Sequence, residues 1–569
     1  MKILSLHCDY IKFKTLKKAL KKVEELGEKP DKAEVKEPLV ILVAIEKHDS
    51  DEKALVSNIK DIAKQVKSKN IVLYPYAHLS SNLASPEIAV KILRDAEKSL
   101  KNDFKVTRAP FGFYKEFELK CKGHPLAELS RSIDEDGESH EKELTQAEKK
   151  RLWAMMTKVH MSAPKGEKGL KSNVELGRDL DIYIVSEIVG KGLPLLTPKG
   201  TTIKREIERF VTDEELKRGY LHTATPIMAK SDLYKVSGHW QHYKDSMFAL
   251  DIGGETYALR PMTCPFQFVL YKRKPRSYKE LPLKYAEIAQ LFRNEQSGEL
   301  RGLTRVRQFS LADAHIICQP KQLEEEFSKV MDLINYTMKN LGVKDIWYRF
   351  SKWDSKDKKG KYIDNPKAWN ESEKSMKKIL DKLKIKYIEA KGEAAFYGPK
   401  LDLQYKDVYG KEDTLITVQI DFALPERYDL TYKDEKGKEA RPMVIHRSSS
   451  GATERMIAYL LEKYQGKLPT WLSPVQVKIL SFTDKNIKAV EKLEEELKLQ
   501  GIRAEIDTEA APMGGRIRDA EMQKIPYIVV IGDKEEKSKS LAVRRDGKVS
   551  TIKKDKFIKD LKKEIENRS

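Results

Sequence analysis

Hydrophobic and polar positions change their period several times along the chain, and each change predicts an element. Between 285 and 317, YAEIAQLFRNE reads as a strand, QSGELRGL with Gly298 and Gly302 as a mobile turn, and LTRVRQFSLADAHII as the returning strand. Alternation along a strand puts Arg305, Arg307, Phe309, Leu311, Asp313 and His315 on one face. Val306, Gln308, Ser310, Ala312 and Ala314 share the other, and Arg293 and Glu295 share a face of the incoming strand. Guanidiniums, a ring, a carboxylate and an imidazole on one side suit a polyanionic, ring-bearing ligand. A solvated edge hairpin has the same composition.

Residues 1 to about 145 open with a strand, MKILSLHCDYIKF, followed by a basic helix through Leu26. LVILVAIEKHD and NIVLYPYAHLS read as buried strands on either side of the helix LVSNIKDIAKQVKS. PEIAVKILRDAEKSL is an amphipathic helix with Pro86 in its first turn and Ile88, Val90, Ile92 and Leu93 as an approximate stripe. FKVTRAPFGFYKEFELKCKGHP predicts two strands joined at PFG. Residues 130–152 are charged without an apolar stripe, a linker that turns helical towards its end.

Beyond it, PKGTTIKREIERFVTDEELKRGY has helical spacing in Ile203, Ile207 and Phe210, and HTATPIMAKSDLY reads as a strand ending in a helical turn. LRPMTCP is an extended segment with Arg260, Met262 and Cys264 on one side. QLEEEFSKVMDLINYTMKNLG and NESEKSMKKILDKLKI are helices, separated by a charged insertion around KDKKGKYIDN. TVQIDF sets Thr417, Gln419 and Asp421 on one face, and HRSSSGATERMIAYLLEK is a strand, then Gly451, then a helix carrying Glu454 and Arg455. After PTWLSPVQV the strands VQVKILSF, IRAEID and YIVVIGD alternate with helices, the first capped by Thr483 or Asp484, giving a small mixed sheet.

Length and charge narrow the class. A chain of 569 residues holds about three or four domains. Lysine plus arginine number 108 against 88 acidic residues, a formal charge of +20, which fits a polyanion partner or a lysine-rich solvated surface. Four scattered cysteines without a CxxC indicate neither a disulfide framework nor a zinc ribbon. MKILSL is too short for a signal peptide, and LVILVAI too short to cross a bilayer. A reducing, cytoplasmic setting with no membrane partner is expected.

FRNE, a short loop and RxRxF resemble motif 2 of the class II aminoacyl-tRNA synthetases, and the run to DAHIIC resembles the threonyl-tRNA synthetase version. The long helix, strand and Pro226 resemble motif 1, and HRSSSGATER resembles motif 3. YPYAHLSSNLA with RAPFGFYKEFELKCKGHPLAELSR resembles the archaeal N-terminal editing domain, a relative of D-aminoacyl-tRNA deacylases. The last hundred residues resemble the class IIa anticodon-binding domain.

This resemblance implies a multidomain α/β and α+β chain. Its expected parts are a deacylase-like α/β editing domain at 1–140, a linker at 141–175, a class II antiparallel-sheet catalytic domain at 176–468, and an α/β anticodon-binding domain at 469–569. It implies one Zn²⁺ per subunit on Cys264, His315 and His446, whose separations in sequence carry no metal signature by themselves. Threonine would meet Met262, Asp313 and Tyr397. ATP with Mg²⁺ would meet Arg293 at the α-phosphate, Glu295 at the adenine amino group, Arg305 at the terminal phosphates, Gln419 near the ribose, and Phe309 and Arg455 on either side of the base. Lys400 falls near phosphate by the same likeness. Editing would use His78, Tyr114, Lys115 and Glu128, and Glu535 and Arg544 would read the anticodon of tRNA(Thr). A homodimer through motif 1 follows too. The sequence departs from the pattern at Leu311, Ala452 and Ala510. An apolar pocket separates threonine from isosteric valine poorly, whereas a site that must bind amine and hydroxyl together rejects valine and still admits serine. That is why a hydrolytic domain ahead of such a site makes sense. The rival expectations are a prolyl or seryl relative and an RNA-binding or amino-acid-sensing paralogue on the same fold.

Overall fold

The computed structural model describes residues 1–20, 31–80, 82–124, 126–132, 146–159, 161–357 and 361–568. The chain divides into two compact units, Met1–Thr145 and Gln146–Ser569. Most of the polar linker, the end of the basic helix and part of the charged insertion lie outside the described residues.

In the first unit the strand Lys2–Lys18 serves two partners in succession. Its first half pairs antiparallel with Pro38–Ala44 and with Glu128–Ser132, its second half with Lys32–Lys36 and Phe113–Cys121. The helix expected from Lys14 onward is therefore strand to Lys18. Ile11, Phe13 and Thr15 are buried between exposed Lys12 and Lys14, a period of two that overrides helical propensity. Pro38–Ala44, Asn70–Pro75 and Lys105–Arg108 pair in parallel, linked by the helices Lys53–Val66 and Pro86–Leu100. Pro38–Ala44 is buried at every residue, as a strand covered on both faces must be. The second helix buries Ala89, Ile92, Leu93, Ala96 and Leu100, so Ile92 and Leu93 face the core as expected while Ile88 faces out and Val90 is half-buried. The two strands around PFG do not form a hairpin, because Lys105–Arg108 continues the parallel set and Phe113–Cys121 crosses to Lys2–Lys18.

The second unit is built on an eight-stranded sheet. Its centre is antiparallel: Leu283–Phe292, Gln308–Cys318, Met443–Ala452, Glu412–Asp421 and Lys400–Lys406, in that spatial order. The helices Pro198–Lys217, Leu323–Asn340 and Thr453–Tyr464 bury Ile203, Phe210, Phe327, Ile334 and Ile457 in its principal core. Thr197 caps the first of them by accepting from the Gly200 amide, with Pro198 in its first turn. Gly451 closes the strand Met443–Ala452 with φ +74, and a Cβ there would stand 2.1 Å from the Leu415 carbonyl oxygen, so only glycine fits.

Three expectations change here. The hairpin ladder ends at Phe292 and resumes at Gln308, leaving 293–307 as a long loop. LRPMTCP is not extended throughout, because Cys264 starts the helix Cys264–Lys272 with Pro265 in its first turn. The segment after Pro198–Lys217 is not one strand: Leu221–His222 joins the large sheet, and Met228–Lys230 joins a separate three-stranded one. Residues 475–568 form a five-stranded sheet ordered Ala504–Asp507, Val477–Ser481, Tyr527–Ile531, Ser540–Arg545 and Lys548–Lys553, the first three parallel. Its last two strands and the helix Lys554–Glu566 went unpredicted.

Candidate active site

A cavity of about 540 Å³ opens over the face of the large sheet opposite its helices. Every residue expected to meet ATP, threonine or metal lines it: Met262, Cys264, Arg293, Glu295, Arg305 and Phe309 from one side of the chain. Asp313, His315, Tyr397, Lys400, Gln419, His446 and Arg455 complete the set. Adjacent strands bring the two histidines together, since His315 and His446 are direct partners in the ladder and their rings meet edge to face at 4.5 Å.

Ligand atoms of Cys264, His315 and His446 all lie within 4.8 Å of one another, and all three residues are buried. Each imidazole is oriented from behind. His315 Nδ1 lies 2.6 Å from Gln267 Oε1, and His446 Nε2 lies 2.7 Å from Asp421 Oδ2. An acceptor at one ring nitrogen fixes the proton there and leaves a lone pair on the other, which is how metal-binding histidines are held. Burial pushes the His315 pKa well below its usual value, keeping the ring neutral, and raises the Cys264 thiol well above its own. A cation between them would reverse that second penalty by holding a thiolate. One thiolate and two imidazoles fit a transition-metal ion with coordination left for a substrate.

Asp313 stands beside this trio, 4.0 Å from His315 Nε2, and burial raises its pKa to about 6 against the opposing pull of His446. Tyr397 is tilted against the His446 ring at 5.1 Å and donates its hydroxyl to Gln419. At the other end of the cavity the Arg293 guanidinium lies 5.2 Å from the Phe309 ring centre. Glu295 Oε2 accepts from Arg305 Nε at 2.9 Å, and Arg305 also reaches Glu299 at 3.2 Å. Arg455 donates to the carbonyls of Thr304 and Thr414 at 3.0 and 2.6 Å.

Strict alternation fails at 305–307. Val306 lines the cavity, and Arg307 turns away to donate to the carbonyls of Glu295 and Lys191. The cause is local: Arg305 N donates to Arg301 O at 3.2 Å, so this stretch is a turn and has no strand period. Arg260, expected beside Met262, is buried instead against Glu287 at 2.9 Å, because the strand ends at Leu259 and its period of two does not continue through Met262.

The sequence did not single out Gln267, the orientation of His446 by Asp421, or His239. Gln267 lies three residues after Cys264 on one helix, a spacing that puts both on the same face and was open to reading once the helix was known. His239 is buried, with its pKa pushed down to about 3 by burial, and meets Phe396 edge-on at 4.9 Å.

In the first unit the editing candidates are distributed over several places. The Lys115 ammonium donates to the carbonyls of Pro110 and Phe113 at 2.9 and 3.1 Å and lies 5.1 Å from the Tyr74 ring; burial lowers its pKa to about 8. Tyr74 leads through Tyr76 to His78, with ring centres 6.5 and 5.4 Å apart. Tyr114, the strand neighbour of Lys115, faces the other way and is 56% exposed. Glu128 pairs with Leu6 on a different strand and lies by Cys121, whose thiol is raised by burial and then by that carboxylate. In the C-terminal sheet Glu535 caps its own helix by accepting from Gly532 N at 3.1 Å, and Arg544 is paired with Glu521 at 2.6 Å.

Comparison with known proteins covers most of the chain. Residues 1–133 match the archaea-specific editing domain of threonyl-tRNA synthetase, 243–464 the class II tRNA synthetase core domain (G, H, P, S and T), and 475–564 an anticodon-binding domain. A threonine–tRNA ligase of Clostridium botulinum is 54% identical over 397 residues, 69% of this chain and 62% of the relative. One of Clostridium perfringens is 51% identical over 400 residues, again with 69% and 62% covered. The chain thus spans 62% of the length of these relatives. Among solved structures, the RNA-binding domain of threonyl-tRNA synthetase from Cryptosporidium parvum aligns with a TM-score of 0.66 at 33% identity, over 69% of this chain and 98% of that one. A putative threonyl-tRNA synthetase, ThrRS-1, of Aeropyrum pernix aligns with a TM-score of 0.61 at 27% identity, over 70% and 97%.

Proposed function

The chain belongs to the threonyl-tRNA synthetase family, and from that footing we propose that it joins L-threonine to tRNA(Thr) at the expense of ATP, through threonyl-adenylate, and clears mistaken serine with its N-terminal unit. The convergence of Cys264, His315 and His446 with Arg293 and Phe309 in one buried cavity is the observation that carries this reading. Cys264, His315 and His446 would hold Zn²⁺, which when bound supplies an electrophilic anchor for an amine and a neighbouring hydroxyl. Gln267 and Asp421 hold the imidazoles in the required tautomers.

Asp313 takes the substrate ammonium, and Met262 and Tyr397 bound the side-chain pocket. Arg293 stabilises the charge that grows on the α-phosphate as the threonine carboxylate attacks, and Phe309 and Arg455 fix the adenine between them. Glu295 exchanges its bond to Arg305 for the adenine amino group, which frees Arg305 for the terminal phosphates and their Mg²⁺. Little acid or base chemistry is needed, since positioning and charge neutralisation do the work. Glu535 and Arg544 likewise exchange their internal partners for anticodon bases. The second unit acts as a homodimer through Pro198–Lys217 and the segment around Pro226, in a reducing cytoplasm consistent with four free cysteines.

Threonylation of a tRNA(Thr) transcript by the purified protein, assayed with ATP, Mg²⁺ and Zn²⁺, tests the reading. Transfer of threonine is expected, and absence of both transfer and threonine-dependent pyrophosphate exchange would overturn it.

A further inference from the structure

We propose that Lys204 is a positioning residue for the nucleotide, tying the long helix Pro198–Lys217 to the two segments that carry Phe309 and Arg455. The inference rests on the ATP-dependent reading above. Lys204 projects from the second turn of that helix, with its side chain only 17% exposed. Its ammonium donates to Ser310 Oγ at 2.6 Å and to Glu454 Oε1 at 2.8 Å. The second oxygen of Glu454 accepts from the Ser310 amide at 2.8 Å.

One cation and one carboxylate thus clamp the residue that follows Phe309 to the residue that precedes Arg455. The clamp sits where the sheet needs it. Register between Gln308–Cys318 and Met443–Ala452 slips between Leu311 and Asp313, so the regular ladder does not reach Ser310. The Glu454 carboxylate takes that amide in place of a strand carbonyl. Gln290 completes the ring by donating to Ser310 Oγ at 2.5 Å.

Lys204 also settles a charge conflict. Glu208, one turn further along the helix, lies 3.7 Å from the ammonium and has its pKa raised first by burial and further by Glu454. Without Lys204 two largely buried carboxylates would face each other with no cation between them. The expected response is withdrawal of Glu454 from Glu208, which releases Ser310 and lets Phe309 and Arg455 move independently. The threonine end of the cavity is anchored separately through Gln267 and Asp421.

The test is threonine-dependent pyrophosphate exchange with active-site titration. Lys204→Met should raise the KM for ATP by about tenfold while changing that for threonine by less than about twofold. Lys204→Arg should recover the ATP KM to within about threefold of the parent, since the guanidinium can reach both acceptors. Ser310→Ala removes only the hydroxyl and should raise the ATP KM by about threefold, which keeps the test open if the methionine variant does not fold. An unchanged ATP KM in a folded Lys204→Met or in Ser310→Ala, or a rise of the same size in both KM values, overturns the inference. Failure of the parent protein itself to catalyse exchange would instead overturn the functional reading.

Discussion

His315 and His446 each meet a buried acceptor from another element, at 2.6 and 2.7 Å, whereas Lys115 donates only to two carbonyls of its own neighbourhood. The histidine end of the second unit's cavity is oriented in the absence of substrate, above the fully enclosed Arg447–Glu215 ion pair at 2.6 Å, whereas the Glu295–Arg305 pair has still to open for the nucleotide. In the first unit His78 and Lys115 share an aromatic row, Tyr114 faces outward, and Glu128 sits on another strand. The difference fits the two tasks proposed for the units. A synthetic site must hold charge in place through a transition state and gains from rigidity, while a proofreading site can let the tRNA end bring reacting groups together.

The comparison is broken most severely by removing a ligand of the trio. Cys264→Ser should abolish bound zinc and threonine-dependent exchange together, with a loss beyond the ~10–100-fold typical of a supporting residue. Metal analysis alongside exchange checks this, and full activity in the presence of chelator would contradict it. Next in size, Lys115→Ala should slow deacylation of seryl-tRNA(Thr) by about 100-fold and leave threonylation as it was. The ammonium of Lys115 is disfavoured by burial, so the neutral amine becomes the majority form above a pH of about 8. Deacylation that draws on this amine should rise about tenfold per unit below that pH and level off above it, and Lys115→Ala should lose the inflection. A flat profile in the parent protein would remove Lys115 from the chemistry.

Asp421→Asn is the sharper probe of preorganisation. It keeps the shape of the residue and weakens the acceptor behind His446, so zinc affinity should fall by about 10-fold or more with the fold intact. Unchanged affinity would mean that the strands alone set the ring. The smallest effect is expected from Ser85→Ala, which removes the cap of Pro86–Leu100. It should lower the stability of the first unit by about 1 kcal/mol in thermal unfolding, with no change in threonine activation.

The long periodic elements were legible in the sequence because their burial follows one period: Ile203, Ile207 and Phe210 face the core as spaced, and LVILVAI is buried throughout. Legibility stopped where backbone geometry departs from the period. The turn at 301–307 exchanges Val306 for Arg307 at the cavity, and the end of the strand at Leu259 leaves Met262 at the cavity without Arg260. The supporting shell was illegible for a different reason. Gln267 reaches His315 across 48 positions from a helix whose start reads as extended in the sequence, and Asp421 reaches His446 across 25 through strand register, which side-chain pattern fixes only modulo two. The editing candidates came from motif resemblance, and nothing in their spacing foretold that Tyr114 and Lys115 would face opposite ways beyond the alternation of the strand itself.

The central claim is that a metal held by Cys264, His315 and His446 weighs an amine and its neighbouring hydroxyl together. Pyrophosphate exchange measured with threonine, serine and valine under identical conditions addresses it most directly. Serine should be activated with kcat/KM roughly 10 to 200-fold below threonine, the worth of one methyl group. Valine should fall on the order of 10⁴-fold or more below threonine, because it offers no hydroxyl to a site built to bind one. Valine activated as readily as serine would contradict the account.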